Sequence, residues 1–474
     1  MASDPAASAV ARAGHVPAVV PAPPTPVTRL LHGCELHLHV MGAFAAADAL
    51  ALGRAVYREA DWRDFSAQYR AHYGAAVDPV ALFDAAEAGD VSATARLARL
   101  HTYDAEDGGD FGRFEATFRF FQTIWTAYRR RGGDGDRQLL VRLLDRARTE
   151  GLDYVEYRCG TGTDPAGFRY WHRLCAATLL AATRDGFTAR YIVTLPRHAP
   201  LEGYALLRDL LADQPELASV IVGIDFAGVE EGCPPKTFRA LFDQVARDNR
   251  ADPASALDVV FHVGESFFDK SLESAIRWCH EVAELGARRL GHAIALGLDP
   301  ALAVARRPGA HARETVAERR EQLAYDLAHR EALAAYGVPL EATALRGEQA
   351  TLATHDHDAL VERPYDDARL DAIRQRQRFV LDRLMALGTV IECCPTSNLL
   401  IGGVPDPAHH PLHRFLAAGV DVVLCSDDPG TFGITLASEI DWAVAHTGLD
   451  RATLARRLGD PRRFRLGQRR RTAG

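Results

Sequence analysis

Eight short runs of β-branched or apolar residues recur along the chain, separated by stretches with helical periodicity. This alternation constrains the fold more than any single motif. The runs are Cys34–Val40, Leu152–Arg158, Ala189–Leu195, Ser219–Gly228, Leu257–Glu265, Arg288–Gly297, Thr389–Asn398 and Asp421–Gly430. Strands alternating with helices imply parallel βαβ units, because a parallel neighbour is reached only through a crossover. Eight of them predict an α/β fold, a closed (β/α)8 TIM barrel.

Polar residues gather late in these runs. Glu265 follows Val259, Val260 and Phe261, Asp427 and Asp428 follow Val422, Val423 and Leu424, Asn398 closes the seventh run and Gly228 the fourth. The βα loops of such a barrel open at the C-terminal rim, so chemistry is expected there. Two stretches exceed a minimal barrel, about 55–105 after the first strand and 299–376 after the sixth. They predict inserted helical segments, the second reading as one or two amphipathic helices. Solvated decoration is the plain reading of both; a lid, or a surface for assembly of a homo-oligomer, is the sharper one. Residues 1–28 are rich in Ala, Pro and Val, and prolines interrupt every candidate signal core, so a disordered tail precedes a barrel over 29–474.

Composition closes several routes. With 63 acidic and 55 basic residues and a net charge of −8, direct nucleic-acid binding is not expected. The lysines are Lys236 and Lys270, neither after a glycine, so no phosphate loop of the G-x-x-x-x-G-K type exists. No G-x-G-x-x-G follows a strand. The eight cysteines show no C-x-x-C spacing and read as reduced core residues of a cytoplasmic protein. No run of about twenty apolar residues appears, so no membrane span is expected.

"ELHLHV" (35–40) sets Glu35, His37 and His39 on one face of a strand and Leu36, Leu38 and Val40 on the other. A catalytic zinc site takes three protein ligands or so and keeps a position for water. His37 and His39 supply two, His262 a third and Asp427 an oxygen. Alone, His262 reads as a core histidine and Asp427-Asp428-Pro429 as a turn or helix cap. Ends of the first, fifth and eighth strands share one rim, and their joint occurrence points to a metal site. A bound divalent ion lowers the pKa of its water from about 16 towards 7. Glu265, three residues past His262, can shuttle a proton, His292 is a second base, and Asp428 can bond the substrate. A second H-x-H in "THDHD" (354–358) sits among polar residues and reads as a loop. His329 and Glu331 form H-x-E, yet the P-C-x-x-C that zinc deaminases pair with it is missing.

These motifs resemble the adenosine deaminase family of the amidohydrolase superfamily. "ELHLHVMGAF" looks like its first-strand H-x-H-x-x-G, "IDFAG" its fourth-strand segment, "FHVGE" its H-A-G-E and "RLGHA" its R-I-G-H-G. "ECCPTSN" is similar to E-x-C-P-x-S-N and "CSDDPGTFG" to T-D-D-P-x-x-F. The resemblance implies one zinc ion per chain on His37, His39, His262 and Asp427. It implies that Glu265 protonates purine N1 during hydroxide attack at C6, with His292 orienting the nucleophile. Asp428 would bond N7 and the Gly228 backbone N3, with His39 also facing the substrate. Phe114 and Phe118 of "FGRFEATFRFF" would line the pocket or serve as core. The expected reaction is hydrolysis of a cyclic amidine C–N bond, with adenosine or deoxyadenosine leading. Where the family carries an acidic ribose contact, this chain has Met41, so adenine, AMP, ATP or an N6-substituted adenosine are alternatives. A barrel that binds a purine or partner without turnover is the contrasting reading.

Overall fold

A computed structural model describes residues 30–132, 134–184, 186–306 and 312–467; the expected N-terminal tail lies outside the described residues. The strands are β1 Cys34–His39, β2 Tyr154–Gly160, β3 Thr188–Thr194, β4 Ile221–Asp225, β5 Asp258–Val263, β6 Arg289–His292, β7 Arg313–Thr315, β8 Leu360–Glu362, β9 Val390–Cys393 and β10 Val422–Leu424. Eight pair in the order β1-β2-β3-β4-β5-β6-β9-β10, every pair parallel. A parallel bridge between Leu38 and Asp427 joins the two ends. It is made by His39 N–H on the Asp427 carbonyl and Asp427 N–H on the His37 carbonyl, both at 3.0 Å. The (β/α)8 barrel expected from the eight runs is therefore present, and its seam falls at two groups of the candidate site.

Strict alternation in β1 is broken. The register shifts between Glu35 and Leu38, so Leu36 packs with Tyr154, Val390 and Val423 while Leu38 joins the large core. Glu35 borders the same small cavity as Leu38 rather than sharing the side of the histidines. A bulge adds a residue to one strand and reverses the parity of what precedes it.

Between β1 and β2 the described residues form six α-helices, of which Phe111–Arg130 is the longest. Asp110 caps it by accepting from the Gly112 and Arg113 N–H groups, the usual use of a short acidic side chain at an N-cap. Its apolar face puts Phe120 on Trp62 and Phe121 on Phe44, ring centres 5.6 and 4.7 Å apart. Between β6 and β9 come the helices Pro300–Arg306, Val316–Ala328, Arg330–Ala335 and Ala342–Leu352, the two-stranded antiparallel sheet of β7 and β8, and the 21-residue helix Asp367–Leu387. The charged stretch breaks more often than its periodicity suggested, at His329 and again at Gly337, which adopts φ 86° two residues before Pro339. "THDHD" is the exposed turn leading into β8, as its composition implied. Among the described residues no helix is long and apolar enough to cross a membrane. All eight cysteines are free, and seven of them are buried.

Candidate metal and active site

Inside the barrel lies a layer of charge. Glu156, Arg158, Asp225, Arg289 and Glu392 are at most 1% exposed. Arg158 pairs with Asp225 at 3.2 Å and Glu392 at 3.1 Å, and Arg289 pairs with Glu156 and Glu392 at 2.5 and 2.7 Å. Buried charges survive only when paired, and here the pairs also orient the layer above. Glu392 Oε2 is 2.7 Å from His37 Nδ1, and Asp225 Oδ1 is 3.0 Å from His262 Nδ1. With each Nδ1–H donated downward, both Nε2 atoms present lone pairs to the barrel mouth.

There the donors converge. The Nε2 atoms of His37, His39 and His262 are 3.1 to 3.3 Å apart. Asp427 Oδ1 lies 3.1 Å from His37 Nε2 and 3.2 Å from His39 Nε2. Ligands about 2.0 Å from a tetrahedral ion stand about 3.3 Å from one another, so this set fits zinc in spacing and chemistry. Burial holds the His39 imidazole below its ordinary range and His262 at about 3, leaving both neutral, as ligands must be. Burial and Arg158 work against charge on His37, but Glu392 and Asp427 overcome them and lift it to about 9. The position between these groups thus draws in a positive charge.

His292 stands on the open side. Its Nδ1–H donates to Asn398 Oδ1 at 2.9 Å, and its Nε2 faces Glu265 Oε1 at 3.4 Å and Asp427 Oδ2 at 3.8 Å. His292, Ala293 and Asp427 adopt φ of 65°, 48° and 64°, left-handed backbone that non-glycine residues rarely occupy outside functional sites. Burial raises the Glu265 carboxyl, with Asp427 resisting a second negative charge against the pull of His292. Burial and Asp427 together hold Asp428 well above the usual carboxylate range. Asp428 Oδ1 is buried with no hydrogen-bond partner.

A cavity of about 650 Å³ opens over this cluster. His39, Met41, Phe114, Phe118, Gly228, His262, Glu265, His292, Asp427 and Asp428 all border it, so the residues expected at the site are brought together, with His37 just beneath. Phe114 and Phe118 serve both expected roles, lining the cavity and packing with Tyr103 and Phe432. A larger groove, about 1030 Å³, lies near the start of β2 and β3. It lacks these convergent groups, so volume alone does not mark the site. Sequence reasoning passed over Glu392, Asp225 and Asn398 as orienting partners. The signal was a carboxylate inside the apolar runs "VIEC" and "IVGID", where a charge requires a partner.

Fold and donor cluster together define a (β/α)8 barrel with a histidine–carboxylate cluster at its mouth. Residues 317–459 match the family model described as adenosine deaminase. Adenine deaminase of Rhizobium leguminosarum bv. trifolii is 45% identical over 75 residues, 16% of this chain and 23% of that protein. Adenine deaminase of Agrobacterium fabrum is 42% identical over 77 residues, 16% and 24% of the two chains. The matched segment thus spans less than a quarter of these curated relatives. Among solved structures, adenine deaminase from Arthrobacter aurescens superposes with a TM-score of 0.50 at 17% identity, covering 93% of this chain and 98% of that one. The Arabidopsis N6-mAMP deaminase gives 0.50 at 15%, covering 94% and 98%. These likenesses establish a shared fold.

Proposed function

We propose that this protein is a zinc-dependent aminohydrolase that replaces the 6-amino group of an adenine compound with oxygen, releasing ammonia. The observation that carries this reading is the pair of carboxyl groups, Glu265 and Asp428, both raised towards the protonated form and both facing the cavity. Protonated carboxyls are hydrogen-bond donors, and a 6-aminopurine offers matching acceptors at N1 and N7. The similar proteins include adenine and N6-mAMP deaminases, in agreement with that substrate class.

His37, His39, His262 and Asp427 would hold the ion, which when bound supplies a water of lowered pKa. Glu265 passes its proton to N1, making C6 electrophilic as the nucleophile adds. His292 Nε2, its ring held by Asn398, takes the proton that the attacking oxygen gives up. Asp428 holds N7, and the backbone at Gly228 faces N3. His292 hands that proton to the amino nitrogen, the C6–N bond breaks and ammonia leaves; C6 keeps the oxygen, whose remaining proton returns to Glu265.

The cavity favours a neutral substrate. Arg158 is the one arginine or lysine among its described lining residues, and it is committed to Asp225 and Glu392. Phosphate would meet Asp110, Glu231 and the aromatic wall of Phe111, Phe114, Phe118 and Phe268 instead. A volume of about 650 Å³ falls within the range of ordinary small-molecule sites and leaves room for a neutral substituent on the base. Adenine and its unphosphorylated nucleosides are therefore the proposed substrates. The cytoplasm is the proposed compartment, in keeping with the eight free cysteines.

The test is release of ammonia, or of methylamine from N6-methyladenosine, by zinc-loaded protein against adenine, adenosine, deoxyadenosine, N6-methyladenosine, AMP and ATP, with Glu265→Gln as control. Turnover of a neutral compound, lowered about 10²- to 10⁴-fold in the variant, is the expected result. Turnover of AMP alone would overturn the neutral-substrate reading, and silence across the panel the deaminase itself.

A further inference from the structure

A second convergence of ligand-type side chains lies away from the barrel mouth, on helix Leu272–Leu285. His280 and Glu284 stand four residues apart on that helix, one turn and one face. His329, at the junction of helices Val316–Ala328 and Arg330–Ala335, meets them from the segment between β6 and β9. His280 Nε2 is 3.5 Å and His329 Nε2 3.6 Å from the same atom, Glu284 Oε1. The three donor atoms all lie within 4.8 Å of one another.

Independent of that spacing, His280 is fully buried, and its Nε2 has no hydrogen-bond partner. A lone polar atom in such a place costs stability unless something satisfies it. The backs of both rings are already held. Tyr325 places its hydroxyl 2.7 Å from His280 Nδ1 and its carbonyl oxygen 3.0 Å from His329 Nδ1. With each Nδ1–H donated to Tyr325, both Nε2 atoms turn lone pairs towards Glu284. One residue thereby orients two imidazoles, the arrangement that fixes histidine ligands around metals. Phe379 packs against both rings, at 5.5 and 6.2 Å between centres, and limits their rotation. Glu284 is 39% exposed, so one side is open for entry and for water.

We propose that His280, Glu284 and His329 form a second metal site, taking zinc or a similar transition ion, that ties the helices between β6 and β9 to helix Leu272–Leu285. Two imidazole nitrogens and one carboxylate oxygen, with a water in the remaining position, are a set that zinc accepts. Arg383 is near enough to repel a cation, and the Glu284 carboxylate offsets it. The competing arrangement is a plain His329–Glu284 ion pair, which leaves His280 Nε2 unsatisfied.

The test counts zinc bound by metal-stripped full-length protein after equilibration with Zn2+, with Co2+ absorption as a second readout. His329→Gln and Glu284→Gln alter partly exposed side chains and leave the barrel mouth untouched. Each variant is expected to bind one equivalent fewer than the unaltered protein, to lose part of its zinc-dependent rise in Tm, and to keep its circular dichroism. Equal stoichiometry in all three proteins would overturn the proposal and leave the ion pair as the whole interaction. Because the readout is a difference of one equivalent, it stands whether or not the barrel mouth proves to be a deaminase.

Discussion

Glu392 Oε2 lies 2.7 Å from His37 Nδ1, and neither side chain reaches solvent. That contact links the charge layer within the barrel to the donor cluster above it, since Glu392 also pairs with Arg158 and Arg289. Glu392→Gln keeps the shape and removes the charge. Zinc affinity is expected to fall about 10- to 100-fold, read by competition with a chelator. Stability is expected to drop by about 3–5 kcal/mol as two arginines lose a buried counter-charge, read by denaturant unfolding. Unaltered zinc affinity would remove His37 from the ligand set.

Gly42 stands against the site for steric reasons. A Cβ there would come within 1.6 Å of Asp428 Oδ1, far inside any contact distance. Gly42→Ala must displace the Asp428 carboxyl, and misplacement by about 1 Å costs on the order of 10² in rate. The expected outcome is a loss of kcat/KM near that size with little change in Tm. Full activity in the variant would show that Asp428 has no fixed role.

Acid stability is expected to depend on Glu273, at the start of helix Leu272–Leu285. Burial raises its carboxyl, but Arg369, bonded to both oxygens at 2.8 and 3.0 Å, and Arg363 outweigh burial and hold it at about 2. A depressed pKa stabilises the fold above the unfolded value near 4.5, and that contribution is lost as pH falls from there through 2. The shift corresponds to roughly 3 kcal/mol. Glu273→Gln should lower stability at pH 6 and flatten its decline between pH 4.5 and 2 in denaturant titrations. A decline as steep as in the unaltered protein would assign acid sensitivity elsewhere.

Met41 borders the cavity without offering a strong acceptor. Met41→Glu supplies one at the position where the motif resemblance implies an acidic ribose contact. A hydrogen bond to a charged group contributes about 1.5–3 kcal/mol, so the adenosine-to-adenine ratio of kcat/KM should rise about 10- to 100-fold. An unchanged ratio would mean that the sugar, if accepted, points away from Met41.

The chain's own pattern determined the eight-stranded parallel barrel, because crossovers between short apolar runs admit few other topologies. It also made His37, His39, His262, Asp427, Glu265 and His292 legible as candidates, since they lie in or just past the C-terminal halves of strands that share a rim. Periodicity could not place the bulge in β1, which moves Glu35 to the side of Leu38, because a bulge is set by pairing with a neighbour distant in sequence. Nor could it reveal that Glu392 and Asp225 aim the histidines, or that Tyr325 turns His280 and His329 towards Glu284. Those contacts join residues up to 355 positions apart. Local sequence fixes which way a side chain alternates, while only the closed barrel and its packed helices decide what it meets.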